Sequence, residues 1–392
     1  MQDTKLADRI LDSIRDSAFL RNSFATVPLT WWVGTVCLLY YALVYLHVCL
    51  FHSTSDTPLV TSYNDENMAK KMRLEFKQLL ESARAKQVIQ RIRTEIGWRK
   101  KLQCILESNH YYIQQWWKQN CRAILENPPC QELSHTCDIS LIVPAYREKG
   151  ANLQQTLNHA LSMCENPSSV QVLIVNAGQC TDLPEALDDW FEFRLVDGTD
   201  AVGRGSSLNR GARYATGRFL TFLHADTLLP QHWDTKIKKA LHNSVDKAGG
   251  TIQACAFRFG TFCSQTQDPA GMTAIRLFGN WRARYLHMPY GDHVLSFPRS
   301  FFEYLGTFHN EPIMEDFQLM YMLRCRALHL SERIRIIPGD AAQCSDRRWV
   351  QNGVMYVTLA NALLVYRYTL GGWSATQIYE YYYQKRKHKK KD

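Results

Sequence analysis

The longest uninterrupted apolar run spans residues 29–51, 23 positions without an Asp, Glu, Lys or Arg. A helix of that length crosses a bilayer. Pro28 suits its first turn. Trp31 and Trp32 suit the headgroup level, with Tyr40, Tyr41 and Tyr45 following. A secretory signal has a shorter apolar core nearer the N-terminus, so the pattern predicts a retained single-pass transmembrane helix after a charged leader at 1–28. Residues 52–136 read as a helical stem. Leu80, Val88, Ile92 and Ile96 form an apolar stripe among Lys, Arg, Glu and Gln, and Asn127-Pro128-Pro129 stops it. Self-association through the stem is open to it, although no clean heptad runs through it.

From Cys137 the pattern changes. Short apolar runs at 139–143, 170–175, 193–196 and 219–223 read as strands, the last as one covered on both faces. Residues 152–164 read as a helix, and Leu208, Ala212 and Ala215 repeat at helical spacing. Gly217 then stands where a helix commonly stops in a left-handed turn. Strands alternating with helices predict an α/β fold with right-handed crossovers and a mainly parallel sheet flanked by helices. After residue 250 the pattern loosens into a strand at 252–259, a mixed stretch and helices. Residues 354–368 are apolar but contain Asn361 and Arg367. They predict an amphipathic helix, packed on the domain or lying in a membrane interface.

Composition alters this picture little. Of 392 residues 46% are hydrophobic, enough for one large domain plus appendages. The formal net charge of +9 is concentrated in the tail, where residues 385–392 carry six cations against one anion. That run reads as a solvated or membrane-surface segment, and no motif for nucleic acid accompanies it. Arg15 and Arg21 before the span, against the more distant Lys70 and Lys71, favour a cytosolic N-terminus. Two features point the other way: Asn166 is followed by proline, leaving no usable glycosylation sequon, and the chain ends in Lys389-Lys390-Lys391-Asp392, similar to a dilysine retrieval signal. A membrane of the endoplasmic reticulum or Golgi is expected over the plasma membrane. The twelve cysteines include no Cys-x-x-Cys pair. Cys104, Cys121, Cys130 and Cys137 form either bridges in an oxidising lumen or small reduced hydrophobes.

The candidate chemistry gathers at strand ends. A glycine-punctuated segment from Gly203 to Gly211 leads through a helix into the strand at 219–223, and His224-Ala225-Asp226 follows directly. In an open α/β sheet, ligands bind beyond the carboxyl ends of the strands. Asp226 there either holds a divalent cation or caps the next turn. Glu315 and Asp316 read either as a catalytic pair or as acids at the positive end of a helix. Asp292, after Tyr290-Gly291, is an active-site acid or part of a tight turn.

Five short motifs in this order resemble the family-2 glycosyltransferases of the GT-A fold. They are the Pro144-Ala145-Tyr146-Arg147-Glu148 turn, Val175-Asn176-Ala177-Gly178, His224-Ala225-Asp226 at the DXD position, Glu315-Asp316, and Arg347-Arg348-Trp349 at the Arg-Trp end of QxxRW. Leu-His-Ala-Asp-Thr, Pro-Tyr-Gly-Asp and Arg-Arg-Trp together resemble a non-processive subgroup. The resemblance implies a GT-A domain at 137–375, with a basic tail at 376–392. It implies a nucleotide-sugar donor and a divalent metal, Mn or Mg, held by Asp226 with His224. Pro144, Tyr146, Glu148, Asn176, Arg204, Asp226, Arg348 and Trp349 would line the donor site. Asp316 would be the general base for an acceptor hydroxyl on a glycan, lipid or protein, with Glu315 and Asp292 beside it, and a single sugar would be transferred with inversion.

The chain departs from the pattern at three places. His224 replaces the first acid of DXD, Asn176 replaces an Asp, and Ser345 stands where QxxRW has its glutamine. The first two keep open a nucleotide-sugar-binding scaffold without catalysis; the third argues against polymer synthesis. A nucleotidyltransferase is the third alternative, although Tyr146-Arg147-Glu148-Lys149-Gly150 is a poor phosphate-gripping loop.

Overall fold

A computed structural model describes residues 136–388, apart from 179, 185–188, 202, 243–250, 264–267, 270, 286, 321–322, 324–331 and 370–372. The expected leader, the 29–51 span and the 52–135 part of the stem lie outside the described residues. Among the described residues no helix is long and apolar enough to cross a membrane. Among the described residues, those of 136–302 and 307–388 belong to one compact unit.

The strands are β1 (Cys137–Ala145), β2 (Val170–Asn176), β3 (Glu192–Asp197), β4 (Gly217–Phe222), β5 (Thr227–Leu228), β6 (Thr251–Phe262), β7 (Ser296–Pro298) and β8 (Glu332–Ser345). The helices are α1 (Gly150–Ser162), α2 (Gly203–Tyr214), α3 (Trp233–His242), α4 (Met272–Tyr285), α5 (Arg299–Tyr304), α6 (Arg347–Asn352), α7 (Val354–Thr369) and α8 (Ala375–His388). Residues 315–320 are also helical. The sheet has eight strands in the order β3-β2-β1-β4-β7-β6-β8-β5.

The expected parallel layout holds for the first half. β1 pairs in parallel with both β2 and β4, and β2 with β3. Ile139, Leu141, Ile142 and Val143 are fully buried, as befits a central strand covered on both faces. The second half corrects the expectation of a mainly parallel sheet. β7 runs antiparallel to both β4 and β6, and β5 runs antiparallel to β8, so the sheet is mixed. Both antiparallel strands are short, two residues in β5 and three in β7, and each is joined to its partners by long connections. A mixed α/β sheet with flanking helices agrees with the GT-A fold that the resemblance implies.

Gly217 is a second correction. It does not stop α2 in a left-handed turn; it opens β4. A Cβ there would lie 2.4 Å from the Ser140 backbone nitrogen, so the glycine lets β4 lie close to β1. Its N–H donates to Ser140 Oγ at 2.9 Å, and Ser140 Oγ in turn donates to Gln171 Oε1 at 2.6 Å. Burial of both polar side chains is thus offset by hydrogen bonds. Gly211 does similar work in α2, where an added Cβ would meet Ile142 Cγ2 at 2.5 Å and Val175 Cγ2 at 3.0 Å. The helix can therefore pack directly over β1 and β2.

β1 leads to β2 on one side, while β4 lies on its other side, so strand order reverses between β1 and β4. A crevice opens beyond the carboxyl ends of such a pair. β8 reaches the same place from the far half. Its end pairs with β5, Thr227 opposite Cys344, and Ser345 N–H donates to the Asp226 carbonyl at 3.1 Å. Before that, Ile336 pairs with Ala256 but Ala341 pairs with Arg258, so β8 bulges around Pro338 and Gly339. Gly339 has φ +97°, a left-handed conformation suited to glycine, and Pro338 has no N–H to lose from the ladder. Among the described residues, Cys137, Cys164, Cys180, Cys255, Cys263 and Cys344 are free thiols.

Candidate functional site

Three chain segments converge beyond β4. The first is the start of α2. Gly203, at φ +82°, has Pro312 Cα 2.7 Å from where a Cβ would stand, and Gly205 has Glu315 Cβ at 2.8 Å. These glycines let the backbone of α2 lie against the segment that carries Glu315. Asn209, in the same helix, clamps that segment: its Nδ2 donates to the Phe308 carbonyl at 2.7 Å, and its Oδ1 accepts from Phe308 N–H at 2.9 Å.

Arg204 projects from this turn and gathers the cluster. Its Nε donates to Glu315 Oε1, its Nη2 to Asp316 Oδ2 at 3.4 Å, and its Nη1 lies 3.1 Å from His224 Nε2. The Glu315 side chain is 1% exposed, so this carboxylate has been moved out of water and faces a guanidinium. Burial lifts the Glu315 carboxyl above its usual range, against the pull of Arg204. Burial disfavours the Arg204 cation, yet Glu315 and Asp316 together hold it protonated above its ordinary value.

Asp316 is fixed at both oxygens. Oδ2 accepts the Gly291 N–H at 3.0 Å and Oδ1 the Phe317 N–H at 2.7 Å. Burial would raise its carboxyl, but Arg204, the Gly291 N–H and His224 outweigh it and hold the pKa below the usual carboxylate range. The aspartate is therefore ionised at neutral pH. Enclosure and the Arg204 charge push His224 down to about 4, so its ring is neutral. A neutral Nε2 facing a guanidinium accepts its N–H.

Gly291 makes this arrangement possible. A Cβ on it would lie 2.6 Å from His224 Nε2 and 3.5 Å from Asp316 Oδ2. The next residue, Asp292, faces the same cluster, and its Oδ1 is buried without a hydrogen-bond partner. His293 is fully buried, with Nδ1 3.0 Å from the Phe257 carbonyl and Nε2 4.0 Å from Asp292 Oδ1.

On the other side of the crevice, Asp226 Oδ2 accepts from Arg347 Nη2 at 3.1 Å. Burial raises the Glu148 carboxyl, opposed by the nearby Arg347 and reinforced by Asp226, so the end of β1 belongs to this group. Tyr146 is 51% exposed beside Pro144, and the Arg147 guanidinium lies 5.1 Å from its ring centroid. Asn176 Oδ1 accepts the Gly178 N–H at 3.0 Å and closes its own turn.

Most of the expected site residues therefore come together, with two changes of place. Arg204, expected at the donor, instead joins Glu315, Asp316 and His224. Arg348 and Trp349 turn to neighbouring packing. Arg348 donates to Asn361 of α7 at 2.9 Å and lies 4.9 Å from the Tyr382 ring of α8, while Trp349 packs near Phe259. Their neighbour Arg347, missed in the sequence, takes the place at Asp226. Its only local signal is its position one residue after the long strand β8 and the buried Asp346.

Asp226 offers a divalent cation a hard oxygen donor, 40% exposed at the strand end, and fits. His224 Nε2 is already met by Arg204, which buried Glu315 holds in place, so that nitrogen is not offered to a cation.

A crevice at a strand-order reversal, lined by acids and guanidinium groups, is the place where an open α/β protein takes its ligand. Residues 140–302 match the model of Glycosyl transferase family 2, and the protein is a glycosyltransferase. No curated protein matches the chain. Among solved structures it is similar to mannosyltransferase PcManGT from Pyrobaculum calidifontis in complex with GDP-Man and Mn2+, at 16% identity over 71% of this chain and 79% of that one, with TM-score 0.39. It is also similar to S. aureus TarS 1–349 in complex with UDP-GlcNAc, at 11% identity over 59% of this chain and 66% of that one, with TM-score 0.36. Likenesses of this size add nothing to the family match.

One consequence can be measured at once. Gly291→Ala forces a methyl group against His224 and shifts Asp316, so turnover falls by about 10²-fold, the scale of an ångström misplacement in an active site. Steady-state kinetics checks it; wild-type turnover in this variant would mean that the 291–293 turn plays no part in the reaction.

Proposed function

We propose that the chain is a membrane-anchored, non-processive, inverting glycosyltransferase that moves one sugar from a nucleotide-diphosphate donor to an acceptor hydroxyl. The observation that carries this reading is the Arg204 bridge. It ties Asp316, far along the chain, to His224 at the end of β4, two residues before Asp226. A base for the acceptor and an acid for the diphosphate thus flank one crevice.

In this reading Asp316 takes the proton of the acceptor hydroxyl as that oxygen attacks the anomeric carbon. Two backbone N–H groups and Arg204 fix its orientation, so the base is ionised and aimed before the acceptor arrives. Glu148, Tyr146 and Asn176 face the nucleoside. Asp226 would hold a divalent cation, whose charge would offset that of the diphosphate. Pro144 ends the strand that presents these groups. Asp292 stands on the acceptor side, with the acceptor a glycan, lipid or protein. The anchor is the 29–51 span, in a membrane of the endoplasmic reticulum or Golgi, and the missing glutamine of QxxRW supports transfer of a single sugar.

A second reading, a nucleotide-sugar-binding scaffold, is favoured by the commitment of His224 to Arg204. One experiment separates the two. The full-length chain is incubated with a panel of nucleotide sugars and Mn2+ or Mg2+, and nucleoside diphosphate release is followed. Metal-dependent release from one donor is the expected outcome. Calorimetric binding of a donor without release, over any acceptor, supports the scaffold.

A further inference from the structure

Asp226 is 40% exposed, against 31% for Asp292, 19% for Asp316 and 1% for Glu315, so a cation reaches it more readily than these acids, and here it is paired with Arg347. The ion pair has an unusual construction. Its two backbones are locked together: Ser345 N–H donates to the Asp226 carbonyl, Thr227 pairs with Cys344, and Arg347 N–H lies 3.4 Å from Ser345 Oγ. Its two side chains are not locked. The Arg347 side chain is 49% exposed and that of Asp226 40%, so water screens the contact and the pair separates at little cost. The contrast with Arg204 is sharp, since Arg204 is tied to a carboxylate that is 1% exposed.

A divalent cation on Asp226 would sit against the Arg347 guanidinium, and like charges at that spacing repel. The guanidinium has somewhere else to go once a diphosphate enters, because its planar fork suits phosphate oxygens. We propose that Arg347 and the divalent cation compete for Asp226, and that a nucleoside diphosphate admits the cation by drawing the guanidinium onto its phosphates. The proposal rests on Asp226 being the cation's ligand. It makes Arg347 a positioning residue that couples metal binding to donor binding.

Manganese binding to the full-length chain, followed by the electron paramagnetic resonance of free Mn2+, tests this. With MnCl2 alone, R347Q binds about fivefold more tightly than wild type, the size of an exposed ion pair. R347K keeps the charge and stays at wild-type affinity. Added UDP or GDP, corrected for Mn2+ bound in protein-free buffer, tightens Mn2+ binding more in wild type than in R347Q. D226N binds no Mn2+. Equal or weaker binding by R347Q, with D226N still binding none, overturns the competition and leaves Asp226 as the ligand. Tightening of R347K to the level of R347Q overturns it too, because charge would then not be the cause. Equal binding by all the variants overturns the ligand assignment and the competition together.

Discussion

Asp316→Asn lowers turnover by about 10³-fold, within the range for losing a general base. The substitution keeps the shape of the side chain and removes only its charge and basicity. In the wild-type protein Oδ1 accepts from Phe317 N–H and Oδ2 from Gly291 N–H and Arg204. An amide can keep one acceptor, but its NH2 then faces donors. A stability loss of about 1–2 kcal/mol is expected from the unmade hydrogen bond. On the proposed reading the donor lies across the crevice, so its dissociation constant should barely move while kcat collapses. Single-turnover kinetics with calorimetric donor binding separates the two effects. A kcat within about threefold of wild type would remove Asp316 from the chemistry.

Arg204→Gln carries the largest cost in stability. Glu315 would be left as a buried carboxylate without its cation, and breaking such a pair costs about 3 kcal/mol, the lower end of the usual range because Arg204 is itself part-exposed. The cost depends on pH, and its sign follows from the two acids. Glu315 is raised by burial even with Arg204 present, and more so without it. A carboxyl with a raised folded pKa is at no disadvantage below its unfolded value of about 4.5, and loses stability as pH rises through the folded one. Asp316 is lowered, so its contribution exists above 3.8 and disappears as pH falls through its folded value; the variant loses that as well. The penalty of Arg204→Gln is therefore greater at pH 8 than at pH 5. Denaturant unfolding at both pH values measures it. An equal penalty at the two would mean that Glu315 is not the group left exposed to the loss. In the pH-rate profile the acid limb should also move upward, because Asp316 no longer has the guanidinium that keeps it ionised. Arg204→Lys should recover most of the stability but less of the activity, since an ammonium cannot serve Glu315, Asp316 and His224 as a fork does.

The parallel half of the sheet was legible because β1, β2 and β4 are largely buried and read as apolar runs broken only by Ser140, Gln171 and Thr221. β5 and β7 were not, since two or three residues carry no period. Asp226, Asp316 and Asp292 were legible because strand-end and turn positions expose acids to the crevice. The partners of those acids were hidden. Nothing in the order of residues says that Arg204 looks toward Glu315, 111 positions on; close packing at Gly203 and Gly205 decides it. Arg347 and Arg348 are neighbours of the same type, and only the β5–β8 pairing selects which one meets Asp226. Gly217 was misread because a glycine after a helix has two uses, a left-handed stop or a close strand contact, and tertiary packing chose the second.

The bulge at Pro338 and Gly339 works as a vernier for the far half of the molecule. Side chains along a strand alternate between faces, so dropping or adding one residue upstream of it would invert the parity of everything that follows. Cys344 and Ser345 would trade sides, and α6 would start a half-step out of phase. Families of this sequence can then vary freely in the chemistry of that kink but not in its length, and lengths that do differ should come with a second insertion that restores the count.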